Sequence, residues 1–337
     1  KIDSIFDKHK WIQAGNSSNL NECFENKIYF SLLLKKYFPY LEIPSLTSKL
    51  GKLAFLEIIK LFSLPVVIQF GHGWAGKTTF LIKSEKEFLN LSQKYPETVI
   101  KVSKFLEGFS VLNNCCIYQD KILVSPPAVQ ISAVKKLYPN PFVTCGRQWP
   151  AKFISEEQEE EISGISHQVG SIMQKNGYKG FFGLDFLVEK TSGKIYLLEI
   201  NARLTASSAF FTKLELGCGK IPLMLYHLAS FLNLPLSNFD PDYPEFKGSQ
   251  IIFREGGGQP VKHDPESFGL FLSDKQKSVF ISGKYQPDKL KDKEYILLKR
   301  EEGPTNSNGV ETARIETRME ALQTTKSISD WVDQLIS

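Results

Sequence analysis

One stretch, VVIQFGHGWAGKTTFLIKSEKE at residues 66–87, decides what kind of fold this chain can have. Within it, Gly71 to Thr78 reads GHGWAGKT and satisfies the P-loop expression G-x-x-x-x-G-K-[ST]. A P-loop joins a strand directly to a helix whose N-terminal amides and dipole hold phosphate, so a helix must begin near Lys77. The residues after Lys77 are instead Thr-Thr-Phe-Leu-Ile-Lys, a β-favouring set. The first helix signal arrives only at Ser84-Glu-Lys-Glu87, a capping box. The order is therefore strand, glycine loop, strand, helix. In such a hairpin the glycines let the turn approach an anion closely and donate backbone N–H groups without steric conflict. A glycine-rich hairpin is equally compatible with a plain surface turn and a solvated Lys77, so the decision passes to the rest of the chain.

Toward the N-terminus, residues 18–38 carry apolar residues at helical spacing after a polar Ser/Asn start, and a second helix is expected over 49–63. Pro65 then opens the β-branched run that leads into the loop. Toward the C-terminus, the spacing predicts a helix from Ser84 through about Lys94 and strands at 98–106, 109–118 and 121–125. A helix is predicted over 155–176, started by Ser155 and stopped by Gly177. Two strands, GLDFLVE and KIYLLEIN, flank the turn residues Lys-Thr-Ser-Gly. Helices at 207–216 and 220–232 follow, then strands near 249–254, 278–282 and 294–299, and a loop at 301–309. No internal repeat or low-complexity tract interrupts this pattern.

The bulk properties narrow the function classes. With 337 residues and 42% hydrophobic content, the chain can bury the core of two or three domains or of one large α/β body. Its net charge of +4 comes from 41 basic and 37 acidic residues without any Lys/Arg block, which argues against nucleic acid. Cys23, Cys115, Cys116, Cys145 and Cys218 show neither C-x-x-C nor zinc spacing and fit a reduced, cytoplasmic setting. The most apolar window, LAFLEIIKLFSLPVVIQF, is broken by Glu57, Lys60 and Pro65 and reads as helix then strand, not as a membrane span. The start, KIDSIFDKHKW, has no signal-peptide h-region and no initiator Met, which leads us to expect a fragment of a longer protein.

The second informative stretch is GFFGLDFLVEKTSGKIYLLEINAR, residues 180–203. With the turn centred on Ser192, a simple antiparallel register sets Asp185 opposite Glu199, each seven residues from the centre. Asn201 then points to the same face, and Arg203 follows it. Acidic residues inside apolar runs such as LLEIN are costly unless partnered, and two facing carboxylates repel. A hard, oxygen-seeking cation between them resolves both problems, and Mg2+ is bound this way together with substrate phosphates. The plain alternative is an edge-facing Glu with an Asp bonded to backbone, and a register slip of one residue would separate the pair.

In their order and spacing, four blocks make the chain resemble the ATP-grasp superfamily, most closely its carboxylate-amine ligases, over roughly residues 19–235. They are ENKIYFSLLLKKY leading to IPS, LPVVIQFGHGWAGKTTFLIKSEKEF, KVSKFLEG and GFFGLDFLVEKTSGKIYLLEINARLTAS. The last is the most specific, since an acidic residue, a hairpin and E-x-N-x-R form that family's metal-binding core. The resemblance implies an α/β (α+β) fold in which two α+β subdomains clamp a nucleotide. It divides the chain into a linker or N-terminal remnant (1–26), a small subdomain with the flap (27–103), a large subdomain with the metal site (104–237) and a C-terminal α/β extension completing the core (238–337). Little or no N-terminal Rossmann-like domain is expected, and such a domain would be missing from this chain.

Residue by residue, the resemblance implies that Lys27 contacts the nucleotide phosphates and that Gly71, Gly73 and Gly76 form a flap over them, with His72 touching phosphate. Ser103, Lys104, Phe105 and Leu106 would be the hinge that reads the adenine edge. Asp185, Glu199 and Asn201 would hold two Mg2+ ions, with Mn2+ as an alternative, between the phosphates of ATP. Arg203 would steady the acyl phosphate, with Lys77 of the flap as the other catalytic residue. Three positions depart from the pattern. Gln69 stands where the family has a phosphate-binding lysine, Ser103 where the hinge begins with an acid, and Ser110 in the place of the ribose-binding acid. Lys77 or His72 would then compensate for the charge absent at Gln69.

The chemistry implied is phosphorylation of a carboxylate by ATP, followed by attack of an amine on the acyl phosphate. Catalysis would be positioning and electrostatics, without a side-chain nucleophile. The partners would be small-molecule carboxylate and amine substrates of amino-acid or peptide type, with no nucleic acid, no membrane and a homodimer left open. Arg147, Arg254, Trp74 and Trp149 are candidates to line or cover the substrate, whereas His167, His227 and His263 read as helix-surface or core residues. Three rival readings stand beside this one: a biotin-carboxylase-like activity, a true P-loop NTPase, and a nucleotide-binding protein without catalysis.

Overall fold

The computed structural model describes residues 2–73, 78–236, 242–245, 247–260, 268–274, 277–299 and 309–336. The chain forms two compact units, one of residues 1–109 with 184–203, the other of 110–183 with 204–337.

The first unit is organised by a four-stranded antiparallel sheet in the order Ser45–Lys49, Val99–Lys104, Val66–Phe70, Thr79–Ile82. Val66 pairs with Ile82 and Gln69 with Thr79, and the Phe70 N–H donates to the Thr78 carbonyl at 3.2 Å. A strand thus stands where a P-loop needs a helix, and that rival reading fails on this pairing. Alternation fixes the faces of the sheet. Val66, Ile68, Ile82, Ile100 and Val102 pack into a core with Leu50, Ile58, Phe88 and Leu91, so Val67, Gln69, Lys101 and Ser103 project to the other face. Ser84 caps the helix Glu85–Lys94 by accepting from the Glu87 N–H at 3.4 Å. The returning bond is displaced by one residue, since the Glu87 carboxylate accepts from the N–H of Lys83.

Two predicted helices are cut short for readable reasons. The helix expected over 18–38 is two, Ser18–Glu25 and Lys27–Tyr37, broken at Asn26. Asn26 has an extended backbone, and its side-chain oxygen accepts from the N–H groups of Ile28 and Tyr29. It is an N-cap in mid-sequence, and it sets Lys27 at a helix start. The helix expected over 49–63 begins only at Phe55. The N–H groups of Leu50 and Gly51 are bonded instead to the carbonyls of Thr98 and Pro96, at 3.0 and 2.8 Å.

In the second unit the strands run in the order Gly108–Tyr118, Ala128–Gln130, Gly146–Trp149, Gly248–Arg254, Glu311–Thr317, Glu294–Lys299, Gly269–Asp274, Lys277–Ser282, with Lys121–Val124 beside the first. The helix Glu156–Lys175 starts from a complete capping box on Ser155 and Gln158. Helices Ser208–Gly217 and Leu223–Leu232 contribute to a core that includes Leu112, Cys116, Phe210, Phe211, Tyr226 and Trp149. Trp149 is fully buried there, its indole N–H bonded to the Pro126 carbonyl at 3.2 Å, which makes it a core residue and not a substrate cover. The pairings between strands are antiparallel, and the fold is α+β as expected. Among the described residues no helix is long and apolar enough to cross a membrane.

Candidate active site

The site is built on the hairpin of strands Gly180–Glu189 and Ile195–Asn201. Its turn is closed by the Glu189 N–H donating to the Lys194 carbonyl, and by the Gly193 N–H donating back to the Glu189 carbonyl, both at 2.9 Å. Gly193 takes φ 71°, which glycine adopts without strain. The turn therefore centres just before Ser192. Asp185 and Glu199 nevertheless share a face, where their carboxyls hydrogen-bond each other. Asn201 Nδ2 lies 3.4 Å from Asp185 Oδ2. The other end of that amide, Asn201 Oδ1, accepts from Arg203 Nη1 at 2.9 Å.

Helix Lys27–Tyr37 brings the cation. The Lys27 ammonium makes an ion pair with Glu199 Oε2, and Asn26 capping fixes the backbone from which that side chain leaves. Arg203 Nε stands 3.4 Å from Glu25 Oε1. The proton distribution follows from burial and charge. Asp185 is pushed well above the usual carboxylate range by burial and by the Glu199 charge beside it. Burial would also raise Glu199, but the charge and hydrogen bond of Lys27, the Asp185 hydrogen bond and Arg203 outweigh it and hold Glu199 low. Burial raises Glu25 against the pull of Arg203.

This arrangement is what a divalent cation would relieve. The Lys27 ammonium supplies positive charge at Glu199, and burial together with the Glu199 charge favours the protonated form of Asp185. Among the described residues no group of three or more His, Cys, Asp or Glu gathers, so the protein offers two carboxylates and an amide. That donor set fits Mg2+, which completes its shell with water and phosphate oxygens.

The glycine hairpin touches the same place. The Lys27 N–H donates to the Gly71 carbonyl at 3.0 Å. A Cβ at Gly73 would fall 1.6 Å from Thr78 Oγ1, so a side chain here would require Thr78 to move. His72 is exposed, its Nε2 2.9 Å from Glu22 Oε1 and 3.2 Å from Asn26 Nδ2. Trp74, Gly76 and Lys77 lie outside the described residues. Gln69 faces Lys101 across the sheet. Ser103 is buried, and the Lys104 N–H is bonded to the Pro44 carbonyl at 3.1 Å; Phe105 and Leu106 follow, half-buried. Ser110 belongs to the second unit.

Lys27, Gly71, Asp185, Glu199, Asn201 and Arg203 thus converge. Sequence reasoning missed Glu25, Glu22 and Lys101. Glu25 stands two residues before Lys27, a carboxylate in the same ENK triplet, and that adjacency was its signal. Arg147 and Arg254 are built into the second unit. Arg147 bonds Gln250 Oε1 at 2.8 Å, and Arg254 holds the carbonyls of Thr144 and Gly309. His227 is a buried core residue that accepts from the Phe181 N–H at 3.0 Å, as expected, while His263 lies outside the described residues.

A profile of the ATP-grasp domain matches residues 34–207, just over half of the chain. The chain belongs to the ATP-grasp family. No curated protein sequence matches it. Among solved structures, the ATP-grasp chain is similar to N5-carboxyaminoimidazole synthase from Aspergillus clavatus, in complex with ADP and 5-aminoimidazole ribonucleotide. That match has a TM-score of 0.63 at 11% identity and covers 95% of this chain and 75% of that one. The biotin carboxylase domain of Hydrogenobacter thermophilus 2-oxoglutarate carboxylase, with MgADP, ADP and bicarbonate, matches with a TM-score of 0.63 at 12% identity, covering 94% of this chain and 66% of that one. N5-carboxyaminoimidazole ribonucleotide synthetase from Thermotoga maritima gives 0.56 at 15% identity, with 88% and 67% covered. At these identities the likeness is one of fold.

Proposed function

We propose that this chain is an ATP- and Mg2+-dependent ligase that activates a carboxylate as an acyl phosphate and joins it to an amine. The observation that carries the reading is the Asp185/Glu199 carboxyl pair, balanced by the Lys27 ammonium and flanked by Asn201 and Arg203. Asp185, Glu199 and Asn201 would hold Mg2+, which supplies positive charge to the phosphates between ATP and the acceptor. Lys27 would offer its ammonium to the phosphates, and the hairpin amides at Gly71 and Gly73 would cover them. Arg203 would steady the oxygens of the transferring group as charge develops on them. Gln69, Lys77, the hinge at Ser103 to Leu106 and Ser110 belong to the same proposal, as do the subdomain limits at 27–103, 104–237 and 238–337.

A second reading takes bicarbonate as the carboxylate. It is favoured by the likeness to structures of carboxyaminoimidazole synthases and of a biotin carboxylase domain in complex with bicarbonate. The test is ADP release from ATP and Mg2+ across a panel of amino acids, peptides, amines and bicarbonate. We expect release that requires both an acid and an acceptor, and which is lost in Glu199→Ala. Turnover unchanged in that variant would sink the metal assignment, and ADP release with bicarbonate as the only effective acid would favour the second reading.

A further inference from the structure

In strand Val99–Lys104, Ile100 and Val102 enter the apolar core, which sends Lys101 to the opposite face. There it lies directly across the ladder from Gln69, near the end of the strand from which the glycine hairpin springs. The fold buries this lysine to 6% exposure, and among the described residues its ammonium makes no hydrogen bond and no ion pair. The surrounding charges do not compensate it. Glu42 attracts it from beyond ion-pair distance, with Oε1 already accepting from the hydroxyls of Ser31 and Ser45 at 2.6 and 2.8 Å, while Lys27 and Lys35 repel it. Burial pushes the amine down to about 8. An uncompensated buried ammonium beside like charges is costly, and an arriving anion removes that cost. Because the Lys27 N–H is bonded to the Gly71 carbonyl, the end of this strand and the start of the Lys27 helix are one neighbourhood.

We propose that Lys101 binds the phosphate chain of the nucleotide, as a second ammonium beside Lys27, from the strand that faces Gln69. This rests on the nucleotide-binding reading above. A polyphosphate suits the place better than a single carboxylate, since it carries enough negative oxygens for two ammonium groups and the amides of a glycine hairpin together.

The test is calorimetric titration of the full chain with ADP and with adenosine, both in Mg2+, accompanied by thermal melting. Lys101→Met keeps most of the side-chain volume and removes the charge. The Kd for ADP is expected to rise about tenfold or more, as for loss of one charged hydrogen bond, while adenosine binding moves by less than about twofold. The rise in Tm caused by ADP should shrink in step. A Lys101→Met chain that melts like the parent and binds ADP as tightly overturns the proposal. If that variant melts early, the exchange of Lys101→Gln with Gln69→Lys keeps one ammonium and one amide on the same ladder pair. ADP affinity recovered over Lys101→Gln alone supports the role, and no recovery overturns it. A parent chain that binds neither ADP nor adenosine overturns the nucleotide reading itself. A parent that binds both, indifferently to Lys101, overturns only the assignment of Lys101.

Discussion

Both units of the molecule gather charged and amide side chains, the second in a row along one sheet and the first from a helix and strands of two sheets, and the two sets are balanced differently. In the second unit, Gln130, Arg147, Gln250 and Glu316 stand in register across four strands. Arg147 donates to Gln250 Oε1 at 2.8 Å, Gln250 donates to Glu316 Oε1 at 3.0 Å, and the Lys213 ammonium is 2.6 Å from Glu316 Oε2. Donor meets acceptor at each step, and cation meets anion at the end. In the first unit, the two carboxyls at Asp185 and Glu199 share one ammonium, and a second ammonium at Lys101 is buried beside the first. The second-unit row closes on its own ion pair, between Lys213 and Glu316. In the other, Glu199 is paired with Lys27, while Lys101 stays buried with no ion-pair partner among the described residues, an imbalance that an anionic ligand would relieve.

The sharpest way to break this comparison is to remove one acid from each set. Glu199→Ala should reduce ADP release by about 10²–10³-fold, the size expected for losing a preorganised charge at the reacting phosphates. Its unfolding free energy should change by less than about 1 kcal/mol, because relief of Asp185 offsets the loss of the Lys27 partner. Glu316→Ala should behave in the opposite way. It leaves Lys213 and the buried Gln250 without their acceptor and should cost about 3 kcal/mol of stability, at the low end for a broken buried pair because Lys213 is partly exposed. ADP affinity of the folded protein should not move. Denaturant unfolding and nucleotide titration of the two variants decide it, and matched losses in both measurements would erase the distinction between the sets.

How much of this could be read in the sequence depended on the range of the signal. The hairpin at 66–82 was legible because its evidence is local: glycines, then a β-favouring run, then the Ser84 cap. The helix from Ser155 and the hairpin carrying Asp185 and Glu199 were legible for the same reason. The split at Asn26 was not, because apolar spacing continues through it while one side-chain oxygen takes over two backbone donors. Strand Ser45–Lys49 was missed because SLTSK is polar and lies at the edge of its sheet. Lys101 was missed because a lysine between β-branched residues reads as a solvated position on a strand. Only pairing with the Gln69 strand, brought about by tertiary folding, reveals that it is covered.

A buried acid in the second unit supplies a pH test of the same contrast. Glu215 is fully buried, and accepts from the Leu223 N–H at 3.1 Å and the Tyr243 hydroxyl at 3.0 Å. Burial nevertheless pushes it from 4.5 up to about 8. Its folded pKa lies above the unfolded one, so the native state binds the extra proton. The stability this contributes is complete below about 4.5 and is lost as the pH rises through about 8. In Glu215→Gln, which is neutral at every pH, unfolding free energy should decline less between those limits than in the parent. An unchanged slope would mean that the acid is ionised in the fold.

The smallest effects separate the units most cleanly, because two caps of similar strength sit in them. Ser155 starts the helix Glu156–Lys175 and touches nothing assigned to chemistry, so Ser155→Ala should cost about 1 kcal/mol of stability and leave ADP affinity alone. Asn26 caps the helix that carries Lys27, and its amide also donates to Glu22 Oε1 at 2.9 Å. Asn26→Ala should cost a similar amount, about 1 kcal/mol, but should also weaken ADP severalfold. Losing the cap frees the first turn to fray, so the Lys27 N–H leaves the Gly71 carbonyl and the ammonium samples positions away from Glu199. Measured together by melting and calorimetry, the pair asks whether a helix start in the first unit does more than end a helix. Equal ADP affinity in the two variants would show that Lys27 is positioned by its ion pair with Glu199 alone.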